Sequence, residues 1–198
     1  MSTAGLILSA GESRRMGTPK ALLPFAGETF LDRLVGLLAE RCDPVIVVLG
    51  AGAAEIEARA SRMARFVRNA NYRRGQTSSM QCGLRAVPAE ADGVLFTLVD
   101  HPAVAPETIA ALLAPAGEGE AAARPLVRVP RYRGRRGHPV WFSRELIPEF
   151  LALPDGAAAR DVVQAHAERT GFLDLDDPGI VADIDDPEAY RGLLETGL

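Results

Sequence analysis

Between Leu6 and Phe25 the chain reads LILSAGESRRMGTPKALLPF: an apolar run stops at Gly11, and three cations, Arg14, Arg15 and Lys20, follow within seven residues. Gly11 and Gly17 allow close backbone approach and unusual dihedrals, and successive backbone N–H groups in such a loop can cradle an anion. Arg15 can grip phosphate oxygens with its planar fork, while Lys20 supplies a point charge. The alternative is a solvated turn with incidental charges. No Gly-Lys-Ser/Thr stands at the spacing of a P-loop, so that anion site is excluded.

Further on, Asp100 closes the apolar run GVLFTLV and precedes His101-Pro102. A carboxylate there suits Mg²⁺, a hard cation with oxygen ligands, or serves as a turn or capping residue. His101 is not read as a metal ligand, because the chain has three histidines and no His/Cys cluster is visible around it. The segment IVADIDD, read as a strand, puts Val181, Asp183 and Asp185 on one face and Ile180, Ala182 and Ile184 on the other. Two carboxylates separated by about 6–7 Å of strand rise call for a cation or a basic neighbour, or else are exposed strand-end acids. Asp186, before Pro187-Glu188, has the form of a helix N-cap.

Two polar segments complete the candidates. NYRRGQTSSMQCGL (71–84) opens a helix, where Gly75, the hydroxyl of Ser79 and terminal amides can hold a base, ribose or phosphate, or simply cap the helix. RGRRGHPVWF (133–142) offers Arg135, Arg136 and His138 to an anionic second substrate, or is a solvated hairpin-like loop. By contrast, VIVVLGAGAAEIEA matches half of a dinucleotide-binding fingerprint. Its third position is Ala54 or Glu55, and RFVRNAN lacks the acidic residue about 20 residues on, so it reads as a strand-to-helix turn.

The elements that must carry these residues alternate. Strands are expected at 5–10, 44–50, RFVRN, 93–99, PLVRVPRY, HPVWF and GIVADIDD; helices at ETFLDRLVGLLAERC, 52–63, 78–86, PETIAALLAP, 143–153, 159–169 and after Asp186. Continuous apolar strands alternating with helices predict an α/β fold, with a mainly parallel sheet covered on both faces. Ligands of such sheets bind outside the carboxyl ends of the strands, where the loop after Ala10, Asp100 and Asp185 are all expected.

With 198 residues, 47% apolar and 24% charged, the chain is sized for one domain spanning 1–198. Its net charge of −4 does not advertise nucleic acid or an anionic membrane, which sets the local basic cluster apart. Cys42 and Cys82 lie far apart and read as free thiols of a reducing cytoplasm. No basic region precedes the first apolar run, so no signal peptide is expected, and no apolar stretch is long enough to span a membrane. There is no internal repeat; Ala114 to Pro125 is the one linker-like stretch.

As a set, these motifs resemble the nucleotidyltransferases similar to molybdenum cofactor cytidylyltransferase and molybdopterin-guanine dinucleotide synthase. SAGESRRMGTPKALLPFAG matches that family's opening Ala-Gly-x-Ser-x-Arg-Met-Gly-x-x-Lys, and GQTSSMQCGL, LVDHP, RGRRGHPVWF and DIDDPEAY follow in order. His101 departs from the usual Gln or Met, and DGAAARDVV matches the family's Gly-Ala-Arg segment loosely. The resemblance implies a Rossmann-like three-layer sandwich, Mg²⁺, and attack by a substrate phosphate on an NTP α-phosphorus with release of pyrophosphate. It implies that Arg15 and Lys20 bind the triphosphate, that Gly11 and Ser13 face the nucleotide, and that Gly75 and Ser79 line base and ribose. Asp100 and Asp185 would hold the metal, making Arg15, Lys20 and Asp100 the catalytic set. Leu8 and Ala10 join the nucleotide site, and Arg136 and His138 meet the second substrate. The Ala10-Gly11 start looks closer to cytidylyl than guanylyl enzymes, which implies CTP as donor. The acceptor implied is an anionic small molecule, molybdopterin first and a sugar or polyol phosphate second, with a molybdoenzyme as partner. A nucleotide-binding chaperone without turnover is the alternative of another class. The chain is expected to be cytoplasmic and a monomer or weak oligomer.

Overall fold

The computed structural model of the chain describes residues 2–115 and 125–197. In chain order the elements are β1 (Thr3–Ser9), a small hairpin of β2 (Pro24–Phe25) and β3 (Glu28–Thr29), α1 (Phe30–Ala39), β4 (Val45–Leu49), α2 (Ala53–Arg59), β5 (Arg65–Arg68), α3 (Gln76–Leu84), β6 (Gly93–Leu98) and α4 (Pro106–Leu113). After residues 116–124 come β7 (Val127–Tyr132), β8 (Arg135–Arg136), β9 (Val140–Ser143), α5 (Ile147–Ala152), α6 (Ala159–Ala165), β10 (Thr170–Asp174) and α7 (Pro187–Thr196). The linker-like stretch from Ala114 to Pro125 falls largely outside the described residues.

One sheet, ordered β10-β7-β9-β6-β1-β4-β5 with β8 paired to β7, forms the centre. β1 pairs in parallel with both β4 and β6, β4 with β5, and β10 with β7, while β9 runs antiparallel to its neighbours. β1 is buried along its whole length, so its residues alternate between two cores. Ile7, Val47, Leu49 and Leu95 pack with Phe30, Leu34, Leu38 and Ile109 on one face. Leu6, Leu8, Ile46, Val48 and Phe96 pack with Met80, Leu84 and Phe150 on the other. Helices therefore cover both faces, the three-layer arrangement that continuous apolar strands require. No helix among the described residues is long and apolar enough to cross a membrane.

From β1 the chain passes to β4 and β5 on one side, then returns to β6 on the other. The carboxyl end of β1 is thus a topological switch point, where a crevice opens in this class of sheet.

The structure changes three boundaries. The helix expected over 52–63 stops at Arg59, because the buried Asp32 carboxylate takes the N–H groups of Ser61 (2.9 Å) and Arg62 (3.0 Å) out of any helical ladder. The helix expected from Ser78 already starts at Gln76, after Gly75 at φ +108°. The largest difference is at GIVADIDD, which is not a strand: Pro178–Val181 form a 3₁₀ turn and residues 182–186 run irregularly. The last strand is β10, upstream, paired with β7.

The cause is local. Asp177 caps the turn by accepting from Gly179 N–H (2.9 Å), and its other oxygen accepts from Ala105 N–H (3.0 Å) and the Thr108 hydroxyl (2.6 Å). The segment then lies across the ends of the strands: Ile180 O accepts from His138 N–H at 2.9 Å, and Ile184 N–H donates to Asp100 O at 3.0 Å. Glycine permits this approach twice. A Cβ on Gly179 would stand 2.2 Å from Ala103 O, and one on Gly137 would stand 2.2 Å from Ile180 O. The shared face of Val181, Asp183 and Asp185 therefore does not exist; both acids are placed by a loop. Asp186 does cap α7, accepting from Glu188 and Ala189 N–H.

Candidate active site

A cavity of about 720 Å³ opens at the carboxyl end of β1. Leu8, Ala10, Gly11, Ser13, Arg15, Lys20, Gly75, Ser79, Asp100 and Asp185, every residue expected at the nucleotide and metal sites, line it. Ser13 shapes the first loop at φ +48°, with its hydroxyl accepting from Lys20 N–H at 3.0 Å. That bond sets where Lys20 enters its short 3₁₀ turn. Ala10 O accepts from Ala51 N–H at 3.2 Å, and a Cβ on Gly50 would lie 2.5 Å from the same oxygen. The Gly50-x-Gly52 pair thus serves close packing of two loops, in keeping with its reading as a turn.

The charges converge. Lys20 Nζ is 3.0 Å from Asp100 Oδ2 and 2.6 Å from Asp185 Oδ1, so one ammonium bridges the two expected metal carboxylates. Arg15 Nη2 lies 3.6 Å from Asp185 Oδ2, with most of its side chain in solvent. Burial pulls the Lys20 pKa down, but the hydrogen bonds and charges of Asp185 and Asp100 outweigh it, and the net shift is upward. The Lys20 hydrogen bond holds Asp185 below the usual carboxylate range. Asp183 is raised, first by desolvation and then by the charges of Asp100 and Asp185.

His101 is less isolated than its sequence context suggests. Its side chain is buried between Asp100 and His138, with Nε2 3.9 Å from Asp100 Oδ1 and ring centroids 5.0 Å apart in the His–His pair. No His/Cys cluster is expected around it, and the structure adds neighbours the sequence does not show: His138 packs against it, and Asp183 comes within reach because the 178–186 segment folds back over Asp100. Asp100 Oδ1, His101 Nδ1 and His138 Nδ1 are buried without a hydrogen-bond partner among the described residues. This acidic, partly orphaned set fits a divalent cation.

A second cavity, of about 580 Å³, adjoins the first at Gly75 and Gln76. Its wall includes Arg136 and His138, the residues expected to meet a second substrate. Phe96, Val129, Phe142 and Phe150 supply an apolar floor, and Arg74, Arg136 and Arg160 a cationic border. Arg136 stacks 4.7 Å over the Phe172 ring, and Arg74 is held by Asp155 through contacts of 2.5–3.0 Å. Residues 156–160 of the loosely matching DGAAARDVV also line this cavity, tied to α3 by the Thr77 hydroxyl donating to Ala157 O at 2.5 Å. His138 is pushed down to about 4 by burial and then by the neighbouring His101.

Sequence reasoning missed Tyr72, Arg73 and Gln76, which face the first cavity, and Asn69, whose Nδ2 donates to Ser78 and Ser79 hydroxyls at 3.1 and 3.0 Å. Their signal was available: a polar run directly after a strand end, in the same crevice as the Gly11 loop. Cys42 is buried, with its thiol pushed up to about 12 by desolvation, and takes no part in either cavity.

A switch-point crevice with a glycine loop, two cations and converging carboxylates, beside a second cavity with an arginine border, suits a nucleotidyltransferase. The chain belongs to the MobA-like NTP transferase domain family, whose model matches residues 5–170. It is 33% identical over 196 residues to nicotine blue oxidoreductase of Paenarthrobacter nicotinovorans, covering 96% of this chain and 95% of that protein. It is 38% identical over 112 residues to a probable molybdenum cofactor guanylyltransferase of Mycobacterium avium, a match spanning 55% of each. Among solved structures, Rv0371c of Mycobacterium tuberculosis superposes with a TM-score of 0.83 at 30% identity and 98% coverage of both chains. A complex of Rv0371C with manganese superposes at 0.78 and 27% identity, covering 99% of this chain and all of that one.

Proposed function

We propose that the chain transfers a nucleoside monophosphate from an NTP, CTP first, to a phosphorylated small molecule of the molybdopterin kind. The observation that carries this reading is the bridging of Asp100 and Asp185 by Lys20 in a cavity that adjoins a second one with an apolar floor and arginine border. In the reaction, an oxygen of the acceptor phosphate bonds to the α-phosphorus, the bond to the bridging oxygen breaks, and pyrophosphate leaves. Such transfer needs positioning and charge stabilisation more than proton transfer. Arg15 and Lys20 neutralise charge on the α-phosphoryl oxygens and the departing pyrophosphate. The acceptor phosphate is ionised at neutral pH, so no general base is required. Asp100 and Asp185 would hold Mg²⁺ or Mn²⁺, which when bound supplies Lewis-acid charge neutralisation and a template for the phosphates. Arg74, Arg136 and Arg160 orient the acceptor's anionic end, while the apolar floor takes its ring system.

The preference for CTP rests on Ala10, whose methyl lies at the cavity wall and crowds a purine more than a pyrimidine. A methyl alone is worth only about 1–3 kcal/mol, and backbone groups around Leu8 and Gly75 supply the rest. GTP is the second reading, favoured by the relatives named guanylyltransferases. The closed packing of Gly50 against Ala10 O and Tyr72 argues against a redox dinucleotide at that turn. The domain acts as one unit in the cytoplasm, as a monomer or weak oligomer, and delivers its product to a molybdoenzyme.

The test is pyrophosphate release from CTP, GTP, ATP and UTP with molybdopterin, against a sugar phosphate and a polyol phosphate as acceptors. The expected result is molybdopterin-dependent release, fastest with CTP. Faster kcat/KM with GTP moves the reading to guanylyl transfer, and no release from any pair overturns it.

A further inference from the structure

Asp100 divides its two oxygens between different neighbours. Oδ2 accepts from the Lys20 ammonium. Oδ1 is buried, has no hydrogen-bond partner among the described residues, and faces His101 Nε2 at 3.9 Å. A buried carboxylate oxygen without a donor is costly, and an ion is a common reason for its survival in a native site. The His101 side chain is itself only 7% exposed, and its Nδ1 also lacks a partner. Asp183, on the loop that crosses the strand ends, closes the group. One ligand atom from each of Asp100, His101 and Asp183 lies within 4.8 Å of the other two. Small side-chain rotations bring such atoms to the roughly 2.0–2.2 Å of a transition-metal bond.

We propose that Asp100, His101 and Asp183 form a divalent transition-metal site with one imidazole nitrogen and two carboxylates. Its donor set differs from that of Asp100 and Asp185, which offers oxygen alone and is already bridged by Lys20. Mg²⁺ favours an all-oxygen, water-rich shell, whereas imidazole suits Mn²⁺, Co²⁺ and Zn²⁺. The nitrogen therefore selects a transition metal over Mg²⁺. Because the Oδ1 side is used, a metal there does not require Lys20 to leave Oδ2, and ammonium and metal share one carboxylate. The inference does not depend on which nucleotide or acceptor the neighbouring cavities take.

The test uses Mn²⁺ as the probe on the nucleotide-free full-length chain, read by electron paramagnetic resonance. Pulsed spectra of bound Mn²⁺ should show nitrogen coupling, which changes from the ¹⁴N to the ¹⁵N pattern when histidine alone is isotopically labelled. His101→Gln should remove that coupling, and both His101→Gln and Asp183→Asn should weaken Mn²⁺ binding by about tenfold or more, while His101→Gln leaves Mg²⁺ binding within about twofold. Bound Mn²⁺ in the wild-type protein without histidine coupling overturns the proposal, as does unchanged Mn²⁺ affinity in a folded His101→Gln variant. Should the variants fail to fold, the labelled wild-type spectrum decides alone. Nucleotidyl transfer with Mg²⁺ is measured separately and stands or falls on its own.

Discussion

Lys20→Met is the substitution that probes the centre of the charge network. The side chain is 12% exposed, so methionine keeps most of the buried stem and removes the ammonium. On the chemical side, loss of one preorganised charge stabiliser should lower kcat by about 10²–10³-fold, or roughly 3–4 kcal/mol of barrier. On the folding side, the bond to the largely buried Asp100 contributes about 1.5–3 kcal/mol as a charged hydrogen bond. The contact with Asp185, whose side chain is 45% exposed, adds less than about 1 kcal/mol once solvent screening is allowed for. The folded variant should therefore melt lower by roughly 3–16 °C for a chain of this length. It should also gain more in melting temperature on Mn²⁺ addition than the wild type does, because Asp100 and Asp185 then lack their internal cation. The assay is pyrophosphate release at saturating NTP and acceptor, paired with thermal melts with and without Mn²⁺. Turnover within about tenfold of wild type would refute the role, and an unchanged melting temperature would refute the network.

Gly50→Ala places a methyl 2.5 Å from Ala10 O and 2.7 Å from Tyr72 Cβ, so the nucleotide loop must shift; KM for the NTP should rise on the order of tenfold, and an unchanged KM by steady-state kinetics counts against that packing role. His138 has its pKa depressed from 6.5 to about 4 on folding, so its contribution to stability is full above pH 6.5 and is lost as pH falls through that window, by about 3 kcal/mol at most. His101 shifts in the same direction, and urea melts at pH 7.5 and 4.5 should show the loss, shallower in His138→Gln; equal slopes in the two proteins would dismiss it. Asp177→Ala strands the donors of Ala105, Thr108 and Gly179. It should cost about 2–4 kcal/mol in denaturant melts and weaken Mn²⁺ binding through Asp183, whereas full Mn²⁺ affinity would show that the 178–186 loop holds its place without the cap.

That Gly11, Ser13, Arg15 and Lys20 share one cavity was legible because they are close in sequence. They lie within ten residues on one loop, and that loop follows a strand whose apolar run is unmistakable. Asp100 was legible for the same reason, at the end of β6. The carboxylates of the last segment were found, but for the wrong geometry. Alternation in IVADIDD imitates a strand, yet the N–H of Ile184 goes to Asp100 O and the O of Ile180 takes the N–H of His138, bonds that no local pattern encodes. Asp177-Pro178-Gly179 carried the turn signal that should have outweighed the alternation. The true strand, TGFLD, offers only Phe172 and Leu173 as large apolar residues, because it lies at a half-buried sheet edge. His101 was read as isolated because its partner Asp183 is more than eighty residues away in sequence.

The staple that Asp177 makes also imposes an order on the protein's birth. The crevice around Gly11, Lys20 and Asp100 belongs to the first half of the chain and leaves the ribosome early. Asp183 and Asp185 arrive only with the loop that Asp177 pins to Ala105 and Thr108. Until that late segment lies across the strand ends, Lys20 has one carboxylate instead of two and Asp100 has neither its cross-loop contact with Ile184 nor the neighbouring acids. A nascent chain can thus hold the Gly11 loop without the assembled charge centre, which is complete only once residues 177–186 have emerged and folded back across the strand ends.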